Sequence, residues 1–274
     1  MASTLGTVRL QDHPLFPAGT AATAIYVFFI GLPVTALLVR SLGGGDFLAG
    51  ISTPIVFQAL KISAITSFIS LFVTVVIGTP FAYLLARRQS RILVLVDSLV
   101  ELPIVMPPVV AGVSMLMAFG RTGLLGSSMT AVGISIPFTT VAVVFAQVFV
   151  AAPFYIRAAK IGFQNVETEL EEVAQTLGLS PLRTFWRVTL PLAIPGLLGG
   201  IALAWARAIS EFGATIMFAG SFTGRTQTLP LAILTTMESD LSAALAMSTL
   251  VVIISAVVLV AIRLAARSAS RKPL

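Results

Sequence analysis

Apolar residues run along this chain in blocks of about twenty or more, the length a helix needs to cross a bilayer. Several of these blocks are closed by arginine. The first block extends from Ala18 to Val39 and stops at Arg40. The second runs from Phe57 to Ala86 and ends at Arg87, Arg88 and Arg91. The third, Ile92 to Phe119, is interrupted by Pro103, Pro107 and Pro108. Proline lacks a backbone donor and clashes with the preceding turn. This block therefore predicts a short lead-in helix, a break, and a span from Pro108. The fourth block covers Phe138 to Ile156, the fifth Pro191 to Ile209 and the sixth Ala243 to Leu264. Each approaches or exceeds what a roughly 30 Å hydrocarbon core requires at about 1.5 Å per residue.

The pattern predicts an all-α polytopic membrane protein of about six transmembrane helices. It divides the chain into an N-terminal tail over 1–17, a membrane domain over 18–265 and a C-terminal tail over 266–274. Residues 42–53 and 120–137 read as loops, and 157–190 is the longest polar stretch. The segment 210–242 is only partly apolar and reads as a re-entrant or broken helix. A cleaved signal peptide is the alternative for the first block, but its apolar region spans only about 7–15 residues. A retained helix is expected.

Composition agrees with this reading. Of 274 residues, 57% are apolar and 10% charged, against about a quarter charged in soluble domains. The net charge of +6 raises nucleic acid as a partner, but the basic residues lie in short loops between apolar blocks. There they set orientation and form no phosphate-tracking stripe. Cysteine is absent, which excludes disulfides, iron–sulfur clusters and thiolate zinc sites. The single histidine, His13, lies in the polar N-terminal tail, so histidine-based catalysis is not expected. Gly43-Gly44-Gly45 has no Lys-Ser or Lys-Thr after it and reads as a turn instead of a phosphate loop.

Six spans place both termini on one side. The segments on that side hold Arg9, Arg87, Arg88, Arg91, Arg157, Lys160, Arg183, Arg187, Arg267, Arg271 and Lys272. The other side holds only Arg40, Arg121 and Arg225. The excess predicts that both termini are cytoplasmic.

Residues 165–191 then read as two short cytoplasmic helices. Thr168 with Glu171 fits a capping box, and the early acidic residues suit the positive end of a helix dipole. Leu170, Val173, Ala174 and Leu177 recur at helical spacing and form one apolar stripe. Gly178 falls where a helix ends in a left-handed residue, at which a side chain costs about 1 kcal/mol. Ser180-Pro181 starts the second helix. Such a striped helix docks on lipid or in a partner's groove, and its acidic side favours a protein.

Glu172-Val173-Ala174, three residues, Gly178, nine residues, then Val188-Thr189-Leu190-Pro191 resembles the EAA loop of ATP-binding cassette (ABC) importer permeases. Val173 stands for the family's second residue, alanine, and Val188 for isoleucine; both are mild apolar swaps. The resemblance implies a type I ABC importer permease, with Glu172, Val173, Ala174, Gly178, Leu190 and Pro191 coupling it to a separate ATPase. Leu102-Pro103-Ile104-Val105-Met106-Pro107-Pro108-Val109-Val110-Ala111-Gly112 is similar to the proline-rich third span of molybdate and sulfate permeases. Glu211-Phe212-Gly213-Ala214-Thr215, together with Arg225-Thr226-Gln227-Thr228-Leu229-Pro230, looks most like the molybdate branch. Tungstate is not separable from molybdate on this basis, and sulfate or thiosulfate is the alternative.

The resemblance further implies a bacterial inner-membrane location and two permease copies. It also implies two ATPase subunits that bind ATP and magnesium, and an extracytoplasmic oxyanion-binding protein. No cofactor is expected in the chain itself, which carries no Walker motif, carboxylate pair or metal-ligand cluster. An ATP-independent channel has no use for the helix before Gly178, and an intramembrane enzyme calls for paired ionisable residues within spans.

Arg207 and Glu211 lie four apart at the end of the fifth span, where charge is costly unless paired or facing a cavity. They read either as a structural ion pair or as an arginine that tunes an anion path with a glutamate restraining it. Ser114, Thr215 and Thr226 are candidate hydroxyl donors to a passing oxyanion; satisfied helix hydroxyls are the alternative. Gly196-x-x-x-Gly200 predicts close helix packing.

Overall fold

The computed structural model describes residues 16–45, 47–88 and 90–270, apart from the side chains of 16–18, 263 and 265–270. The expected tails over 1–17 and 266–274, with Arg9 and His13, therefore lie largely outside the described residues. All regular structure among the described residues is helical. The helices are α1 (Phe16–Gly43), α2 (Phe47–Ile51), α3 (Pro54–Arg87), α4 (Arg91–Val105), α5 (Pro108–Phe119), α6 (Gly126–Ala131) and α7 (Thr140–Gln164). They continue as α8 (Thr168–Thr176), α9 (Pro181–Thr184), a π-helical turn Phe185–Thr189, α10 (Leu190–Ile209), α11 (Gly213–Phe218), α12 (Leu229–Thr236) and α13 (Leu241–Ser270).

Five stretches are long and apolar enough to cross a membrane: 19–43, 54–87, 140–164, 181–209 and 241–262. The pair α4–α5 makes a sixth if its two arms count as one span, and they are bent by 119° at the expected break. Pro107 and Pro108 interrupt the hydrogen-bond ladder there, and Met106 closes α4 in extended conformation.

α7 is the centre of the bundle and packs most extensively against α3 and α10. Small residues permit this approach. A Cβ on Gly196 would lie 2.6 Å from the Gly162 Cα, and one on Gly78 would lie 2.9 Å from the Tyr155 ring. Lipid provides no hydrophobic drive between helices, so backbone proximity and polar contacts bind the crossings instead. On α3, Ser63, Thr66, Ser67, Ser70 and Thr74 form a buried stripe. Ser70 donates to Gln147 Oε1 of α7 at 2.8 Å, and Thr79 meets the Tyr155 hydroxyl at 2.6 Å. Ser63 accepts from the Leu229 amide at 2.7 Å, satisfying an orphan donor at the start of α12.

Several boundaries differ from the sequence reading. The fourth span does not stop at Ile156; α7 runs on to Gln164. Arg157 and Lys160 end the apolar block but not the helix, because they find acidic partners on α4. Lys160 Nζ lies 2.5 Å from Asp97 Oδ2, and Arg157 Nε lies 3.9 Å from Glu101 Oε1. The fifth span does not begin at Pro191 either, since helix is continuous from Pro181 over 29 residues. The Leu190 amide donates to the Phe185 carbonyl five residues back. That wide turn shifts the ladder just ahead of Pro191, which has no donor to contribute. The expected loops over 42–53 and 120–137 hold the short helices α2 and α6, and 210–242 holds α11 and α12.

Candidate functional site

The capping box expected at Thr168 and Glu171 is not made. Glu167 takes the N-cap position of α8, without a side-chain cap. Glu171 turns instead to Arg87 at the end of α3, with Nη2 to Oε1 at 2.6 Å. The same oxygen accepts from Thr189 Oγ1 of the π turn at 2.7 Å. Arg87 also donates to the Val166 carbonyl at 3.1 Å and lies 5.8 Å from the Tyr83 ring. A charge-assisted bond to guanidinium outcompetes a backbone amide for a carboxylate this well buried. Glu171 therefore joins α3, α8 and the π turn at one point. The sequence reading assigned it only a local role, because nothing in the pattern links it to a residue 84 positions earlier.

The other end of α8 closes as expected. Gly178 has φ +92°, its amide donates to Gln175 O at 3.0 Å, and the Leu179 amide reaches Ala174 O at 3.1 Å. These are the paired bonds of a Schellman motif. Between the two ends the stripe divides. Ala174 is buried, whereas Leu170, Val173 and Leu177 are exposed, Leu177 at 81%. Glu172 is exposed on the same short helix. Leu182 and Trp186 are also exposed, and they extend the uncovered apolar surface onto α9 and the π turn. Leu190 is half-buried and Pro191 exposed.

Arg207 and Glu211 form an ion pair at 2.8 Å. Glu211 is 1% exposed, and its second oxygen accepts from the Ala214 amide at 2.7 Å at the start of α11. α11 lies against α5: a Cβ on Gly112 would meet Met217 at 2.6 Å, and one on Gly213 would meet Pro108 at 2.7 Å. The fold thus brings together the proline-rich stretch and the Glu211–Thr215 stretch that the sequence singled out separately. Thr215 is fully buried, and its hydroxyl has no hydrogen-bond partner among the described residues. Ser114 is exposed on α5 and donates to the Val110 carbonyl at 2.9 Å. Thr226 is buried in the loop before α12; it accepts from the Phe222 amide at 3.0 Å and donates to Gly220 O at 3.2 Å. Both hydroxyls are thus engaged with backbone.

The family model described as "Binding-protein-dependent transport system inner membrane component" matches residues 78–271. The chain is 42% identical over 236 residues to the molybdenum transport system permease protein ModB of Mycobacterium bovis, covering 86% of this chain and 89% of that one. It is 35% identical over 246 residues to the sulfate transport system permease protein CysT of Synechocystis, covering 88% and 86% respectively. Among solved structures, it is similar to a chain of a bacterial ABC transporter involved in import of the acidic polysaccharide alginate. The TM-score there is 0.73 at 15% identity, over 93% of this chain and 95% of that one. With its helical bundle, its strict Gly178 spacing and these relatives, the chain belongs to the inner-membrane permease components of binding-protein-dependent ABC importers.

Proposed function

We propose that this chain is the permease subunit of an ATP-driven importer of molybdate or tungstate, with α8 seated on a separate ATPase subunit. The observation that carries this reading is the divided surface of α8. One side is bound into the bundle through Glu171 and Ala174, while Leu170, Val173 and Leu177 are exposed. Apolar surface left in water costs about 25 cal/mol per Å², and a short striped helix anchored at its back fits a partner's groove. The end of the bundle that carries α8 also gathers Arg87, Arg157, Lys160, Arg183 and Arg187, an excess of basic residues that supports a cytoplasmic placement of that end.

ATP-driven closure of the two ATPase subunits then moves α8. Glu171 passes that motion to α3 through Arg87 and to the π turn ahead of α10 through Thr189. Both α3 and α10 pack on α7, so the bundle shifts between two packings and gives alternating access. Two copies of the chain form the path, and an extracytoplasmic binding protein delivers the oxyanion. The preference for molybdate rests on the ModB relative; the CysT relative supports sulfate as the second reading. Either is a tetrahedral dianion whose oxygens only accept.

The test is uptake of labelled molybdate by the reconstituted transporter with its ATPase and binding protein. ATP-dependent uptake that an equal concentration of sulfate leaves intact is the expected result. Competition by sulfate reassigns the substrate, and ATP-independent uptake overturns the importer reading.

A further inference from the structure

Thr140, at the start of α7, donates to the Arg225 carbonyl at 2.8 Å. α7 is 25 residues long, about 38 Å at 1.5 Å per residue, so Arg225 lies at the opposite end from Lys160 and α8. A cavity of about 880 Å³ opens there, between the end of α5, the loop after it, the loop that leads into α7, and the loop before α12. Arg121 and Arg225 both line it, together with the hydroxyl-bearing Thr122, Ser135 and Thr139 and the apolar Leu116 and Phe138. No aspartate or glutamate lines it among the described residues. Neither arginine belongs to an ion pair among the described residues, although the arginines and lysine at the other end that face carboxylates are paired. In the sequence Arg121 bears only on orientation, and Arg225 bears on orientation and on the stretch that resembles the molybdate branch; the fold brings both into the lining of one cavity.

We propose that this cavity receives a tetrahedral oxyanion before it enters the path between permease copies. The inference rests on the importer reading above and adds the site of first contact. A dianion whose oxygens only accept needs donors, and two guanidinium forks with adjacent hydroxyls supply them. A concave, partly apolar wall with charge of one sign focuses potential and raises the local concentration of anions. The cavity is far larger than one oxyanion and open, so it holds the ion weakly, as a site that must also release it requires. Ser221, Thr223, Thr226 and Thr228, the hydroxyls near Arg225 in sequence, do not line it.

The experiment is arginine modification by phenylglyoxal in the assembled permease–ATPase complex without binding protein, read residue by residue by mass spectrometry. Molybdate or sulfate is expected to slow modification of Arg121 and Arg225 together. The slowing reaches about tenfold at ten times the half-protecting concentration. Exposed Arg40 serves as the internal reference and is expected to react unchanged. Equal slowing by chloride at matched ionic strength overturns the proposal, because it reports screening alone. Protection that appears only when unliganded binding protein is added also overturns it, because the cavity is then a protein contact. Independently, Arg121→Gln and Arg225→Gln are expected to raise the KM for uptake roughly tenfold with kcat retained. An unchanged KM overturns the proposal. Wild-type vesicles separate the two levels: ATP-driven oxyanion uptake without protection removes only the reception site, whereas absent uptake removes the importer reading beneath it.

Discussion

Glu171 and Glu172 are adjacent in the chain and face different environments. Glu171 is 9% exposed and shared by a guanidinium and a hydroxyl, whereas Glu172 is in solvent. Glu171→Gln preserves shape but removes the charge that Arg87 needs. It is expected to lower the stability of the purified permease by about 1–3 kcal/mol. In the complex, the proposed coupling predicts that ATPase activity continues while uptake falls, because α8 would no longer pull on α3. Glu172→Gln should stay within about 0.5 kcal/mol of wild type in the same unfolding measurement. Thermal unfolding in detergent decides, and equal effects of the two would remove the special role of Glu171. Gly178→Asp is a backbone test. A Cβ there meets nothing within 4 Å, so the cost comes from φ +92° alone, about 1 kcal/mol. Together with Glu172→Lys, it is expected to leave the protein inserted and to abolish substrate-stimulated ATPase activity in the purified complex. Normal stimulation in both would sink the coupling assignment. Gly178 was legible from the sequence because helix termination is local chemistry. The partner of Glu171 was not, because a long-range ion pair leaves no periodic trace.

At the scale of elements, the crossing of α7 and α10 has an internal control. Gly196 touches Gly162 so closely that even a methyl group must displace backbone, while Gly199, one turn on, has nothing within 4 Å. Gly196→Ala is expected to cost about 1–3 kcal/mol through overpacking. Gly199→Ala should be neutral or stabilising by up to about 1 kcal/mol, since alanine favours helix. Melting temperatures of the two variants check this, and a reversed order would mean that the helices cross elsewhere. The small-residue spacing announced a close crossing from sequence alone. It did not announce the π turn, because proline at 191 reads as a helix start when only the local pattern is seen. The continuation through Phe185–Thr189 depends on a register shift that the tertiary packing supports.

For the whole molecule, the reading to test is orientation. Basic residues gather at the α8 end, and Arg121 and Arg225 share a cavity at the other. In intact cells, Ser90→Cys and Ser180→Cys are expected to resist a membrane-impermeant thiol reagent, while Gly44→Cys and Ser128→Cys react. The background is clean because the chain has no cysteine. Labelling of Ser180→Cys from outside would invert the molecule and detach α8 from any cytoplasmic ATPase. The same scale explains why α1 stands apart. Its most apolar 18 residues include no buried one, and near its end the buried Ser41 donates to the Leu245 carbonyl of α13 at 3.4 Å, so α1 is tied to α13 and takes no part in the packed centre formed by α3, α7 and α10.

The class of the protein, the approximate number of spans and the short helix that ends at Gly178 were all readable in the amino-acid order. Each is set by interactions within about one span: apolar length against bilayer thickness, helix period and turn chemistry. Three things required the folded chain. One is the Glu171–Arg87–Thr189 junction, another the seating of α11 against α5, and the third the presence of Arg121 and Arg225 in the lining of one cavity. All three bring together residues far apart in the chain. Their partners are chosen by which helices cross and where proline breaks or a π turn redirect them, and no local pattern encodes that choice.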